Sequence, residues 1–288
     1  MTARGQGRRR GAESGIVLVY VLVVLAVASA VVVAMVGQSD RAIDRSRQFS
    51  DAAQAEALIR GGEASALAAL ARDGRSIDHG QEAWAQVAQQ DLAIAGGRFQ
   101  LRISDAQGLY NLTNLVSGGV LAQDRLRAIV ASARLDPSVA VRLIAAFASG
   151  DPPREPGDLH GVIAGTDLAA LAGLVTVLPA ASVVNLNAAP SDLVAVMLAN
   201  AVQARILMLR RDDTGFLTAA DVAGMGVILP PGIGFASDFF RVEVTVQVGD
   251  ALLATSGLIW RSQAGPVVVS RKNQPVAAGS GTGNDHPG

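Results

Sequence analysis

About 26 residues without a charge separate Glu13 from Asp40. The stretch from Ile16, IVLVYVLVVLAVASAVVVAMVG, is apolar on every side of a helix, as contact with lipid requires. Roughly 20 such residues cross a hydrocarbon core. Arg4, Arg8, Arg9 and Arg10 precede it. The preference of cationic flanks for the cytoplasm therefore places residues 1–15 inside and the bulk of the chain on the far side. A secretory signal has a shorter apolar region, about 7–15 residues with an A-x-A-like exit. Ala28-Ser29-Ala30 resembles such an exit, but apolar residues continue to Val36. A cleaved signal and a plain uncleaved anchor are the two simple readings of this run.

Composition narrows what lies beyond the span. A chain of 288 residues leaves room for one large domain or two small ones. The formal net charge of −1 argues against a general nucleic-acid binder. The absence of cysteine excludes disulfides, thiolate metal sites and cysteine nucleophiles.

Glu13-Ser14-Gly15 before Ile16 resembles the processing site of prepilin-like proteins, in which a short basic leader ends in Gly. The resemblance implies cleavage after Gly15 by a prepilin peptidase and N-methylation of Ile16. The fifth residue of the mature chain is then Tyr20. Most pilins and pseudopilins have Glu there. A buried carboxylate in lipid needs a partner, and a subunit lacking it cannot pair with one above. Its absence resembles the K-type minor pseudopilins of type II secretion.

Residues 40–72 contain no proline and place Ile43, Phe49, Ala53, Ala57, Leu67 and Leu70 at loose helical intervals. The expected helix runs from about 16 to 72, with Gly61-Gly62 as a weak point or kink. Residues 73–97 read as a polar, Gly-containing connection with Trp84 as a packing residue. Phe99, Leu101 and Ile103 alternate with polar residues as in a strand. Asp105-Ala-Gln-Gly108 reads as a turn in which Gly108 supplies a positive φ. Asn111 and Asn114 follow, in scaffold roles, closing turns or capping helices.

Residues 120–200 read as helical, with Pro137 in a first helical turn and a Pro- and acid-rich loop at 149–161. Ser191 or the Asn187 region is the expected cap of the helix that follows Pro190. FFRVEVTVQVG, ALLATSGLIWRS and Pro266–Lys272 read as three strands of an antiparallel meander. The segment D-A-Q-G with Asn111-Leu-Thr-Asn114, then Val184-Asn-Leu-Asn-Ala-Ala189, then Gly215-Phe-Leu-Thr-Ala-Ala-Asp-Val222, resembles K-type elements in the same order.

That resemblance implies an α+β fold: a pilin-like long N-terminal helix packed on an antiparallel sheet, with a large all-α domain inserted between strands. The expected divisions are a leader at 1–15, a membrane half-helix at 16–37, a head segment at 38–114 and an inserted domain at 115–235. Strands follow at 236–272, then a disordered tail at 273–288. The implied role is a pseudopilus-tip subunit in the inner membrane with its bulk in the periplasm. Its implied partners are other minor pseudopilins, the major pseudopilin, prepilin peptidase and inner-membrane lipid.

K-type relatives can hold calcium in the insertion. Here the usual acidic runs are not intact. Asp151, Glu155 and Asp158 are the carboxylates that remain for calcium, which takes six to eight oxygens. Three alternatives stay open. One is a helix-hairpin-helix-like DNA-binding or uptake protein, with Gly224-Met225-Gly226 as hairpin and Arg205, Arg210 and Arg211 near it. Another is a type IV pilus minor pilin. The third is a periplasmic hydrolase, although His79, His160 and His286 are scattered and no catalytic motif is present. The expectation is no enzyme and no nucleic acid.

Overall fold

The computed structural model describes residues 10–87 and 91–274. Of the expected leader, residues 1–9 lie outside the described residues, as do 275–288 of the expected tail.

Helix α1 spans Arg10–Arg72, 63 residues without a break, roughly 95 Å at 1.5 Å per residue. From Val17 to Val36 its large apolar side chains are exposed all round. The helix is long and apolar enough to cross a membrane. Further along, Ala55, Ile59, Ala66 and Leu70 are buried against a sheet. Their spacing keeps one helical face inward. The expected weak point at Gly61-Gly62 is not a break. A Cβ on Gly62 would lie 2.9 Å from Cζ of Phe99 and 3.2 Å from a methyl of Val244, whereas Gly61 has nothing within 4 Å. Gly62 thus lets the helix settle onto the sheet.

The connection at 73–97 holds two short elements. Helix α2 (Ala83–Val87) buries Trp84, whose ring meets Phe240 edge-on with centroids 5.0 Å apart. Strand β1 (Asp91–Ile94) is too short to show an alternation in sequence. It turns at Gly96, where φ is +78°, into β2 (Gly97–Asp105).

After β2 the chain leaves the sheet through a 3-10 helix, Ala106–Gly108, capped by the Asp105 side chain. Gly108 is not among the positive-φ glycines. It is glycine because a Cβ would sit 2.6 Å from the Ala188 carbonyl oxygen, a close approach rather than a left-handed turn.

Two helical modules follow. The first runs β3 (Tyr110–Asn111), α3 (Asn114–Ser117), α4 (Gly119–Ser132), α5 (Ser138–Phe147), a 3-10 helix (Pro156–Gly161), α6 (Gly165–Leu171) and β4 (Val175–Thr176). The second runs β5 (Val184–Asn185), α7 (Ser191–Leu198), α8 (Ala201–Thr214), α9 (Ala219–Gly224) and β6 (Ile233–Gly234). Each module is tied at its base by a two-residue parallel bridge, β3 to β4 and β5 to β6. The modules share one apolar core that includes Leu126, Leu143, Phe147, Leu193 and Leu207. Neither expected side chain caps α7: its N-cap is Pro190, with no side-chain hydrogen bond. Asn187 is committed elsewhere.

The chain returns to the sheet as β7 (Phe239–Val248), then β8 (Ala251–Ser262) and β9 (Gly265–Gln274). The sheet is antiparallel in the order β1-β2-β7-β8-β9. Phe240, Val242, Val244, Val246 and Val248 face α1 and are buried. Fully burying such side chains stabilises by about 1.5–3 kcal/mol each. Gly97–Asp105 pairs along its length with Phe240–Val248, so residues between Asp105 and Phe239 form an insertion between neighbouring strands.

Candidate functional site

Gly15 and Ile16 fall on the backbone of α1, with their side chains outside the described residues. Tyr20 lies one turn further along, exposed among Val17, Leu18, Val19 and Val21. In lipid its phenol would sit near one end of the span, the depth at which aromatic side chains with a polar tip are favoured.

The three acidic residues of the 149–161 loop do not converge. Asp151 pairs with Arg154 at 3.1 Å. Glu155 pairs with Lys272 of β9. Asp158 accepts the backbone amides of Arg154 and Glu155 at 2.9 and 3.2 Å, reaching back to the N-cap Glu155 in the capping box of its 3-10 helix. Each carboxylate already has a cation or an amide of its own, so the set does not fit the six to eight converging oxygens of a calcium cage.

A different acidic group is gathered elsewhere. Carboxylate oxygens of Asp73, Asp78 and Glu82 lie within 4.8 Å of one another. The cation among them is a side chain. Arg261 donates to both oxygens of Asp78, at 2.8 and 2.6 Å, and to Asp73 at 2.8 Å. It also donates to the Ser237 carbonyl at 2.6 Å and stacks over the Phe240 ring at 4.8 Å. Glu82 is taken by the His79 amide and the Trp84 indole, each at 2.8 Å. These carboxylates serve an internal ion pair and a loop closure.

The network continues into the insertion. Asp105, at the end of β2, accepts from Ser237 Oγ at 2.6 Å and from Asn185 Nδ2 at 2.6 Å. Asn185 also donates to the Asp78 carbonyl at 3.0 Å. The Ser237 amide donates to Asp78 at 2.6 Å, and Gln107 accepts the amides of Asp238 and Phe239. These contacts form a polar seam at which the chain leaves and re-enters the sheet. Burial pushes the Asp78 carboxyl up to about 6, outweighing the Ser237 amide and the Arg261 guanidinium. Burial also raises Asp105, against hydrogen bonds from Ser237, Gln107 and Asn185.

Sequence reasoning missed this seam, although one signal was present. Strand alternation gives Arg261 the same face as Ile259, inward, and turns Trp260 out. The structure has Arg261 at 2% exposure and Trp260 at 40%.

The asparagine motifs act as scaffold. Asn111 accepts the Thr113 and Leu178 amides and donates to the Ala180 carbonyl. Asn114 clasps both backbone groups of Ser182 at 2.9 Å. In the second module Asn185 accepts the Asn187 amide, and Asn187 clasps both backbone groups of Leu217. The two modules thus repeat one device: an asparagine that closes a turn, then one that grips a distant backbone.

The arginines considered for phosphate are largely committed. Arg210 pairs with Asp213 and Asp221. Arg211 turns inward to the carbonyls of Leu186 and Ala189 at 3.0 and 2.7 Å. A hairpin that grips phosphates needs such cations free.

No protein-family model matches the chain. Over 116 residues it is 35% identical to the type II secretion system protein K of Pseudomonas aeruginosa, a match covering 38% of this chain and 34% of that protein. The chain therefore spans about a third of the length of the curated relative it matches. A chain in the crystal structure of the GspK-GspI-GspJ complex from the enterotoxigenic Escherichia coli type 2 secretion system shares the fold. The TM-score is 0.62 at 18% identity, over 81% of this chain and 100% of that one. The α+β pilin-like fold read from the sequence is the fold observed, and the curated relative is a secretion protein of the K type that the motifs resemble.

Proposed function

We propose that this chain is a minor pseudopilin of a type II secretion system, of the K type. In this reading α1 holds it in the bacterial inner membrane, with the sheet and the helical insertion in the periplasm. It then moves to the tip of a pseudopilus with other minor pseudopilins and helps to start assembly on the major pseudopilin. The assembled fibre supports export of folded proteins across the outer membrane. A leader at 1–15, cleavage after Gly15, methylation of Ile16 and an inserted domain at 115–235 belong to the same proposal.

The observation that carries it is architectural. A helix of membrane-crossing length runs without a break onto an antiparallel sheet, and the chain between β2 and β7 forms a bulky helical insertion. The work of such a subunit is packing. The apolar half of α1 can leave lipid for a bundle of like helices, because both surroundings are apolar. The insertion gives the subunit a head too wide to be an ordinary repeating unit. The buried carboxylates of the seam are held by internal donors, which fits a strut better than a reaction centre.

The test is intact-mass and N-terminal analysis of the full chain co-expressed with a prepilin peptidase. A mature chain starting at N-methylated Ile16 is expected. A retained leader, or cleavage after Ala30, would sink the proposal.

A further inference from the structure

The outward face of the sheet carries a cleft that the pilin-like architecture does not account for. Arg241 on β7, Leu258 on β8 and Ser270 on β9 are register neighbours across that face. The Pro- and acid-rich loop of the insertion leans over them, and Val177 and Leu178 close the far wall. The enclosed space is about 610 Å³, within the range of sites for small ligands.

The cations around it differ in one respect. Arg154 and Lys272, at the rim, are paired with Asp151 and Glu155. Arg241 is half-buried, and its side chain makes no hydrogen bond or ion pair among the described residues. Ser256 and Ser270, on the same floor, likewise make no side-chain hydrogen bond among the described residues. A guanidinium partly removed from water, with its fork of donors unused, is best satisfied by a planar anion that accepts two parallel hydrogen bonds. One free cation beside the carboxylate of Glu155 suits a single negative charge better than a dianionic phosphate. Prolines, Leu258 and Val269 suit an apolar body behind that charge.

We propose that this cleft binds a carboxylate carried on a small apolar body, with Arg241 as its anchor. The same chemistry has two sources: a free short-chain carboxylic acid, or a glutamate side chain within an extended peptide. The proposal does not depend on the pseudopilin reading, since it concerns a cleft and not the membrane helix.

The test uses the full chain in detergent micelles and ligand-observed NMR with four probes. They are butyrate, N-acetyl-Val-Glu-Val amide, and the neutral counterparts butyramide and N-acetyl-Val-Gln-Val amide. Saturable binding of at least one carboxylate is expected, with its neutral counterpart at least about tenfold weaker. Binding of butyrate alone identifies a free acid as the source, binding of the glutamyl peptide alone identifies a peptide, and binding of both supports the shared chemistry. Arg241→Gln should weaken binding by about tenfold or more, while Arg127→Gln, an exposed arginine of α4 that does not line the cleft, should leave it unchanged. The proposal is overturned if neither carboxylate binds at millimolar concentration, if the amides bind equally well, or if folded Arg241→Gln binds as before. Should Arg241→Gln fail to fold, the comparison of acid with amide in the unmodified protein still decides.

Discussion

Asn187 donates to the carbonyl of Leu217 at 3.1 Å and accepts its amide at 2.8 Å. Leu217 is fully buried, so no water replaces these bonds. Removing the clasp leaves a donor and an acceptor unsatisfied in the interior, at about 1–3 kcal/mol for each. Asn187→Ala should therefore destabilise the protein by about 2–6 kcal/mol in urea unfolding. The N-cap variant Asn200→Ala, at the exposed start of α8, should cost only about 1 kcal/mol. Equal losses from the two would mean that the clasp carries no special weight. At this scale the sequence was half legible. Short polar runs rich in asparagine announce turns and caps, so a scaffold role could be read. The gripped residue, 30 positions away, could not be, because no local pattern marks a backbone that a distant side chain will hold.

Helix α1 shows the same division at the scale of an element. Its length and its apolar first half are written in the sequence, since an uncharged run with no proline has few other options. The tolerance for Gly61-Gly62 is not, because it depends on what α1 meets. Two adjacent glycines look alike as helix weakeners, each costing about 1 kcal/mol against alanine. Their surroundings are opposite. Gly61 faces open space, and Gly62 touches Phe99 and Val244 of the sheet. Gly61→Ala should stabilise by about 0.5–1 kcal/mol, whereas Gly62→Leu should destabilise by about 1–3 kcal/mol through overpacking. Paired thermal melts of the two variants read both signs. Stabilisation by Gly62→Leu would mean that α1 is not seated on the sheet as described. The edge strands are also managed locally. Strand β9 carries Pro266, an irregularity near Leu258, and Arg271 and Lys272 toward its end. These features discourage unplanned strand addition. Arg271 is further tied to Glu63 of α1.

Over the whole molecule, the two larger apolar cores among the described residues are separate, one between α1 and the sheet and one within the insertion, with a small cluster of Ala106, Leu178 and Phe239 besides. What joins them includes the polar seam of Asp78, Asp105, Asn185, Ser237 and Arg261. Its members come from the connection after α1, from β2, from both ends of the second helical module and from β8, so only the assembled chain defines it. The charged groups gathered at Asp78 are Arg261, Asp73 and Glu82, two acids to one cation. Its carboxyl is raised from 3.8 to about 6. The native chain therefore keeps a proton on Asp78 at pH values where the unfolded chain has lost it. Stability from this group is complete below about pH 4 and declines as the pH rises through 6, a difference of about 3 kcal/mol. Asp105 is raised as well and acts in the same direction. Thermal melts of the full chain should thus show a higher midpoint near pH 5 than near pH 7.5. Asp78→Asn, which keeps the shape and removes the titration, should flatten most of that slope. If the variant retains the full slope, the seam does not titrate through Asp78. If the unmodified chain is instead more stable at pH 7.5, the Arg261 pair holds Asp78 ionised, and the junction is a permanent salt bridge rather than a proton-sensitive one.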